Sequence, residues 1–196
     1  VDIVNMFQNL GVGRPGGFYM PRILHGHRSR LHMMCLGRNW DPVTGYEKPC
    51  RSDGSEPPPI PFELPFLAMA AIEEAQAHLE DLPLMRPDIC VANFYCIGDR
   101  LGLHQDRDES SESLAKGLPV VSISIGRPAE FCYGHTRDKK KLKKLLLDSG
   151  DVLIFGGKSR LIFHEVKKVQ IDPPSMAVLR ALRIQPGRLN LTLKQF

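Results

Sequence analysis

The sequence is poor in the features that define non-globular and secreted proteins. No stretch approaches the roughly 20 consecutive apolar residues that a membrane-crossing helix needs. The five cysteines (Cys35, Cys50, Cys90, Cys96 and Cys132) are odd in number, and no two form a C-x-x-C pair. That pattern offers no zinc knuckle or redox couple, and free thiols in a reducing compartment fit it best. There is no internal repeat, and no low-complexity tract beyond three prolines at 57 to 59, which sets aside solenoids and compositionally disordered chains. The first residue is Val1 and no charged-then-apolar leader follows it; no signal peptide is expected, and a trimmed fragment is.

What remains is the composition of a soluble globular protein. Of 196 residues, 42% are hydrophobic and 24% charged, enough for one domain with a real core. The net charge of +4 favours a polyanionic partner only where the cations cluster. They do so twice: Arg22, Arg28, Arg30 and Arg38 lie close together with three histidines, and residues 137 to 144 read RDKKKLKK. A solvated surface is the ordinary explanation of such runs.

Residues 1 to 65 are rich in Gly, Pro and Arg with little periodicity, and SDGSEPPPIP is loop or extended, so this part reads as an irregular flank or lid. Residues 66 to 196 form the core region. FLAMAAIEEAQAHLEDL, from Phe66 to Leu82, sets Met69, Ile72, Leu79 and Leu82 on one helical stripe ahead of Pro83. Short β-prone runs follow at 92–98, 120–126, 151–155, 161–166 and 188–196, the spacing of a sandwich or barrel. The segment LKKLLLDSG reads as one short helix closed by Gly150.

The chemistry concentrates in GLHQDRDES. His104 and Asp106 are two apart and project from one side of an extended strand. A distant His164, inside LIFHEV, can complete a two-histidine, one-carboxylate set that leaves open positions on non-haem Fe(II). H-x-D alone is common, and a strand histidine is usually satisfied by a hydrogen bond. A zinc hydrolase can use the same three ligands. The C-terminal strand adds to the case. Arg188, Asn190, Thr192 and Lys194 share one face and Leu189, Leu191 and Leu193 the other. An exposed sheet would look like this, and so would a barrel whose interior holds a charged co-substrate.

Four motifs in order resemble the AlkB dioxygenases over about Arg38 to Phe196. ANFYCIGDRLGLHQDRDE is similar to the segment leading into the iron-binding H-x-D, and PVVSISIGRPAEF to the next core strand. LLLDSGDVLIFGGKSRLIFHEV resembles the stretch ending in the second iron histidine, and RLNLTLKQF the closing R-x-N-x-T-x-R motif. MCLGRNWDPVTGY, ahead of the helix, is closer to the AlkB and AlkB-homologue-1 branch than to branches acting on messenger RNA or proteins.

The resemblance implies an α+β, mainly β fold: a double-stranded β-helix (jelly roll, cupin-like) with flanking helices and an N-terminal nucleotide-recognition lid. It implies Fe(II) held by His104, Asp106 and His164, with 2-oxoglutarate as co-substrate and O2 as oxidant. Arg188 would pair with the distal carboxylate of 2-oxoglutarate, and Asn93, Tyr95 and Asn190 would line its site. Lys194 replaces the family's second arginine, keeping charge near the proximal carboxylate while losing the guanidinium fork. Trp40 and Tyr46 resemble lid aromatics flanking an extruded base, and Asp108 the contact to its exocyclic edge; the bland alternatives are a core or loop anchor and a surface acid.

The implied activity is oxidative removal of N-alkyl groups from DNA or RNA bases, of the N6-methyladenine or N1-methyladenine type. It is coupled to decarboxylation of 2-oxoglutarate to succinate and releases formaldehyde when the group is methyl. The substrate would be single-stranded or present a flipped base, the enzyme a monomer with no membrane partner, in nucleus or cytoplasm. Two rivals stay open at this point: an oxygenase acting on a protein or small molecule, and a non-catalytic reader of modified nucleic acid.

Overall fold

In the computed structural model the described residues are 2–21, 30–169 and 187–196, and they hold three α-helices and nine strands. They are α1 (Ile3–Gly11), β1 (His32–Leu36), α2 (Glu63–Gln76), β2 (Ile89–Cys96), β3 (Leu101–His104), α3 (Ser111–Ala115), β4 (Val120–Gly126), β5 (Ala129–Gly134), β6 (Lys143–Leu147), β7 (Val152–Phe155), β8 (Phe163–Val169) and β9 (Gly187–Lys194). The strands form two antiparallel sheets, a five-stranded one in the order β1-β2-β9-β4-β7 and a four-stranded one in the order β3-β8-β5-β6.

The pairing is nested. β2 lies against β9, β3 against β8, β4 against β7 and β5 against β6, as if one long hairpin with its tip at β5–β6 had been rolled up. This is the winding of a double-stranded β-helix, the jelly roll that the motifs imply. β1 adds an outer strand to the larger sheet through its pairing with β2.

Period-two alternation decides which face is wet. On β9, Leu189, Leu191 and Leu193 turn outward and join Leu64, Ala68 and Ile72 of α2, Phe7 of α1, and Met34 and Leu36 of β1 in one buried cluster. Burying side chains of this size stabilises the fold by about 1.5–3 kcal/mol each. The opposite face of the same strand turns Arg188, Asn190, Thr192 and Lys194 into the cavity between the sheets.

Three local expectations are corrected by the structure. The helix runs from Glu63 to Gln76, not from Phe66 to Leu82. Its buried stripe is Leu64, Ala68 and Ile72, Pro65 is tolerated because it sits in the first turn, and Leu79 is 61% exposed. Leu82 reaches the core from a turn, beyond a bond from Gln76 Nε2 to its carbonyl at 2.7 Å. The LKKLLLDSG segment is the strand β6, not a helix. Leu145 and Leu147 face Phe131 and Ala129 across the β5 ladder while Leu146 is exposed, so period two wins over helical propensity. The flank is also more regular than its composition suggests: Asp2 caps α1 by accepting from Asn5 N at 3.1 Å, and the helix packs Phe7 onto the sheet. Among the described residues, no helix is long and apolar enough to cross a membrane.

Candidate metal and co-substrate site

The β3–β8 register sets His104 directly opposite His164, and the chain leaving β3 brings Asp106 back between them. Asp106 Oδ1 is 3.8 Å from His104 Nε2, and Asp106 Oδ2 is 3.9 Å from His164 Nε2. The two rings are 4.3 Å apart at their centroids. The carboxylate therefore reaches the expected point from the loop just past β3, the strand having ended at His104.

The tautomers follow from the neighbours. Each imidazole places Nδ1 on a main-chain carbonyl, His104 on Gly102 at 2.7 Å and His164 on Ile162 at 3.3 Å. A carbonyl only accepts, so Nδ1 carries the proton and the Nε2 lone pair of the neutral ring faces Asp106. One ligand atom from each residue lies within 4.8 Å of the others. Lone pairs converging like this repel one another unless a cation lies among them. The donor set, two imidazole nitrogens and one carboxylate, suits a first-row divalent ion such as Fe(II).

Electrostatics keep the ligands ready. Burial would raise the Asp106 pKa, but attraction to nearby cations, the Lys194 ammonium above all, holds it well below the usual carboxylate range. Burial drives His164 the other way from an ordinary histidine, to about 4, against the pull of Asp106.

A second group of residues sits deeper in the same cavity of about 230 Å³. Arg188 is 1% exposed. Its guanidinium donates to the carbonyls of Arg127 and Leu147 at 3.1 Å each and to Ser124 Oγ at 2.6 Å, all neutral acceptors, and its Nε has no partner among the described residues. Tyr95, its cross-strand neighbour on β2, has a buried hydroxyl, and Asn93 a buried Oδ1, with no hydrogen-bond partner among the described residues. Asp151 and Asp148 act on this cation electrostatically but form no ion-pair contact with it among the described residues, and a buried cation so placed, beside unpaired polar groups, is an unstable arrangement unless a ligand completes it. A dicarboxylic keto acid does so, with a carboxylate for Arg188 and acceptors for Tyr95. Asn190 differs: its amide donates to Ser122 Oγ at 2.8 Å and Ile123 O at 3.1 Å, and its Oδ1 accepts from Thr192. Its groups are held by β4 and β9.

Lys194 Nζ lies 3.7 Å from Asp106 Oδ1 and 2.5 Å from Glu109 Oε1. Attraction to these carboxylates outweighs burial and raises its pKa well above that of a free lysine. At the mouth, Trp40 Nε1 donates to Asp108 Oδ2 at 2.8 Å. The turn from Asp41 to Gly45 is closed by reciprocal 2.8 Å bonds and pinned by Asp41 Oδ1, which accepts from Val43 N at 2.9 Å and Thr44 N at 3.1 Å. Gly45, at φ +61, packs where a Cβ would lie 3.0 Å from the Asp108 carbonyl. Tyr46 is buried among Met33, Cys35, Ile89 and Val91, with the Lys194 ammonium 5.1 Å from its ring centre. Trp40, Tyr46 and Asp108 all line the cavity.

Of the first basic cluster, Arg22, Arg28 and two of its histidines, His25 and His27, lie outside the described residues. Arg38 pairs with Asp88 at 2.8 Å and stacks on Phe196, while Arg30 is exposed. The second cluster lies in the β5–β6 turn and the start of β6, and this end of the hairpin adjoins the site because Tyr133 is in register with His164. Lys139 and Lys144 are paired with Glu165 and Glu130; Lys140, Lys141 and Lys143 are exposed.

Glu109 and Arg160 are missed by the sequence reading. Each is buried and they pair at 2.8 Å. Neither carries a local signal, since Glu109 stands in a charged run and Arg160 next to a 3-10 turn.

Comparison with known proteins gives consistent relatives. The sequence profile of the 2OG-Fe(II) oxygenase superfamily matches residues 3–194. The chain is 51% identical over 206 residues to the DNA N(6)-methyladenine demethylase ALKBH1D of Arabidopsis thaliana, covering 100% of this chain and 46% of that protein. It is 41% identical over 113 residues to the alpha-ketoglutarate-dependent dioxygenase AlkB of Escherichia coli strain K12, covering 58% of this chain and 47% of that protein. The solved structure of OsALKBH1 superposes with a TM-score of 0.91 at 46% identity, over 100% of this chain and 90% of that one. The chain thus spans about half the length of the curated relatives it matches.

Proposed function

The chain belongs to the 2OG-Fe(II) oxygenase superfamily, in its AlkB branch, and from that premise we propose that it removes N-alkyl groups from nucleobases by oxidation, with a methylated adenine in DNA as the leading substrate. The observation that carries the proposal is the meeting, in one cavity, of the His104–Asp106–His164 triad with a buried Arg188 whose hydrogen-bond partners among the described residues are all neutral.

In this reading His104, Asp106 and His164 hold Fe(II). Arg188 and the Tyr95 hydroxyl fix the distal carboxylate of 2-oxoglutarate, with Asn93 beside them and Asn190 keeping β9 and β4 in register. Lys194 supplies positive charge on the iron side. With iron, 2-oxoglutarate and O2 bound, the site supplies oxidation of the N-alkyl carbon coupled to decarboxylation of the keto acid to succinate, after which the hemiaminal product breaks down to base and aldehyde. The protein's part is placement and exclusion of water.

Trp40 offers a stacking face at the mouth, and Asp108 an acceptor for the exocyclic amine of a base. An alkyl carbon inside a stacked duplex cannot reach the triad, so the substrate is single-stranded or its base is flipped, at about a few kcal/mol. The exposed lysines of the β5–β6 hairpin lie where they can meet flanking phosphates.

The test is mass spectrometry of base products after incubating the protein with Fe(II), 2-oxoglutarate and a panel of DNA and RNA oligonucleotides carrying N6-methyladenine or N1-methyladenine. Loss of methyl with stoichiometric succinate is expected, and Asp106→Ala should abolish turnover while leaving oligonucleotide affinity largely intact. Succinate formation unaffected by every oligonucleotide would redirect the chemistry to a protein or small molecule; tight binding with no turnover by the iron-loaded protein would leave a reader.

A further inference from the structure

Glu109 looks in the sequence like one more acid of a surface run, yet its side chain is 0% exposed, held between Lys194 Nζ at 2.5 Å and Arg160 Nη2 at 2.8 Å. Those cations are themselves buried, with side-chain exposures of 6% and 4%. Both also reach Asp106, from different directions. Lys194 Nζ approaches its carboxylate at 3.7 Å, and Arg160 Nη1 donates to its main-chain carbonyl at 2.5 Å. The loop after β3, the turn after β7 and the end of β9 are thereby tied together around a single residue.

The charges in this group cancel: two cations, Lys194 and Arg160, against two carboxylates, Asp106 and Glu109. Without Glu109, Asp106 would be the one carboxylate of the group facing two buried cations. Its lone pairs would then be shared between them and any metal, and a buried cation stripped of its counterion is strongly destabilising.

We propose that Glu109 is a positioning residue for the metal site: by neutralising Lys194 and Arg160 it lets them orient Asp106 while leaving that carboxylate free to ligate. The inference rests on the assignment of His104, Asp106 and His164 as the metal ligands. Ligand-orienting partners of this kind typically change metal affinity by about 10–100-fold.

The experiment is an anaerobic titration of the metal-free full chain with Co(II), followed by visible absorption and calorimetry, without 2-oxoglutarate or substrate. Glu109→Gln, verified as folded by circular dichroism, should bind Co(II) at least about tenfold more weakly and with an altered absorption band. Glu109→Asp keeps the charge but is one methylene too short to span both cations, and should be weakened less. Wild-type affinity and spectrum in the Gln variant overturn the proposal; if that variant does not fold, the Asp variant decides, and wild-type behaviour there overturns it equally. A wild-type protein that binds no Co(II), or a His104→Ala variant that binds it normally, would instead sink the ligand assignment itself.

Discussion

The indole N–H of Trp40 donates to the carboxylate of Asp108 across 68 positions of sequence, at 2.8 Å. That bond joins the turn at 41–45 to the segment that carries Asp106, so the aromatic at the cavity mouth and the candidate base contact are placed by one another. Trp40 is also the chain's single tryptophan, so indole fluorescence reports on the surroundings of this one side chain. Binding of a methylated oligonucleotide should change the emission. Asp108→Ala should raise the KM for oligonucleotide about tenfold, the size expected for losing a hydrogen bond to a charged group, while the Kd for 2-oxoglutarate stays near wild type. An emission spectrum indifferent to substrate would remove Trp40 from the base site.

Arg188 makes a sharper case, because its guanidinium has only neutral partners among the described residues. Truncating one member of a buried charged pair costs about 2–5 kcal/mol. Arg188→Met should therefore weaken 2-oxoglutarate binding by at least about 30-fold, measured calorimetrically on the Co(II)-loaded protein, without loss of Co(II) affinity. Arg188→Lys should recover little, since an ammonium cannot serve the Arg127, Leu147 and Ser124 acceptors and a carboxylate together.

The depressed pKa of His164 predicts a pH dependence in the metal-free protein. Between about 4 and the ordinary histidine value of 6.5, the unfolded chain carries the proton at this site and the folded chain does not. Folding stability attributable to His164 accordingly rises with pH through that window and levels off above it, by at most about 1.4 kcal/mol per pH unit. Thermal melts in chelator should show wild type losing ground to His164→Leu as pH falls from 7 to 5. A difference in Tm that is flat over that range would contradict the burial of a neutral imidazole.

The hairpin lysines should act on encounter and not on chemistry. Combined Lys140→Ala, Lys141→Ala and Lys143→Ala should weaken oligonucleotide binding at low salt and flatten its log–log dependence on salt. Each phosphate contact removed should lower the slope by about 0.7–0.9. The kcat at saturating oligonucleotide should not change. An unaltered salt slope would return these lysines to a merely solvated surface.

The sequence was most legible where one local period ran without competition. On β9 the alternation of leucines with Arg188, Asn190, Thr192 and Lys194 marks both the helix-covered face and the cavity face, and the structure keeps both. It misled at 143–147, where leucines adjacent in sequence satisfy a short helix and a strand alike, and only the ladder to β5 separates them. It was silent for β1, whose five residues gain a partner from β2 more than fifty positions away.

By itself, the order of residues determined the ligand types, the alternating faces and the presence of a cation on the co-substrate side, because these depend on side-chain identity and the two-residue repeat of a strand. Tertiary structure alone decided that His104 and His164 share a register, that Arg188 meets Tyr95, and that Glu109 is buried between two cations. The physical reason is that such contacts join points remote along the chain, and whether a charge is solvated or buried depends on what the rest of the fold packs around it.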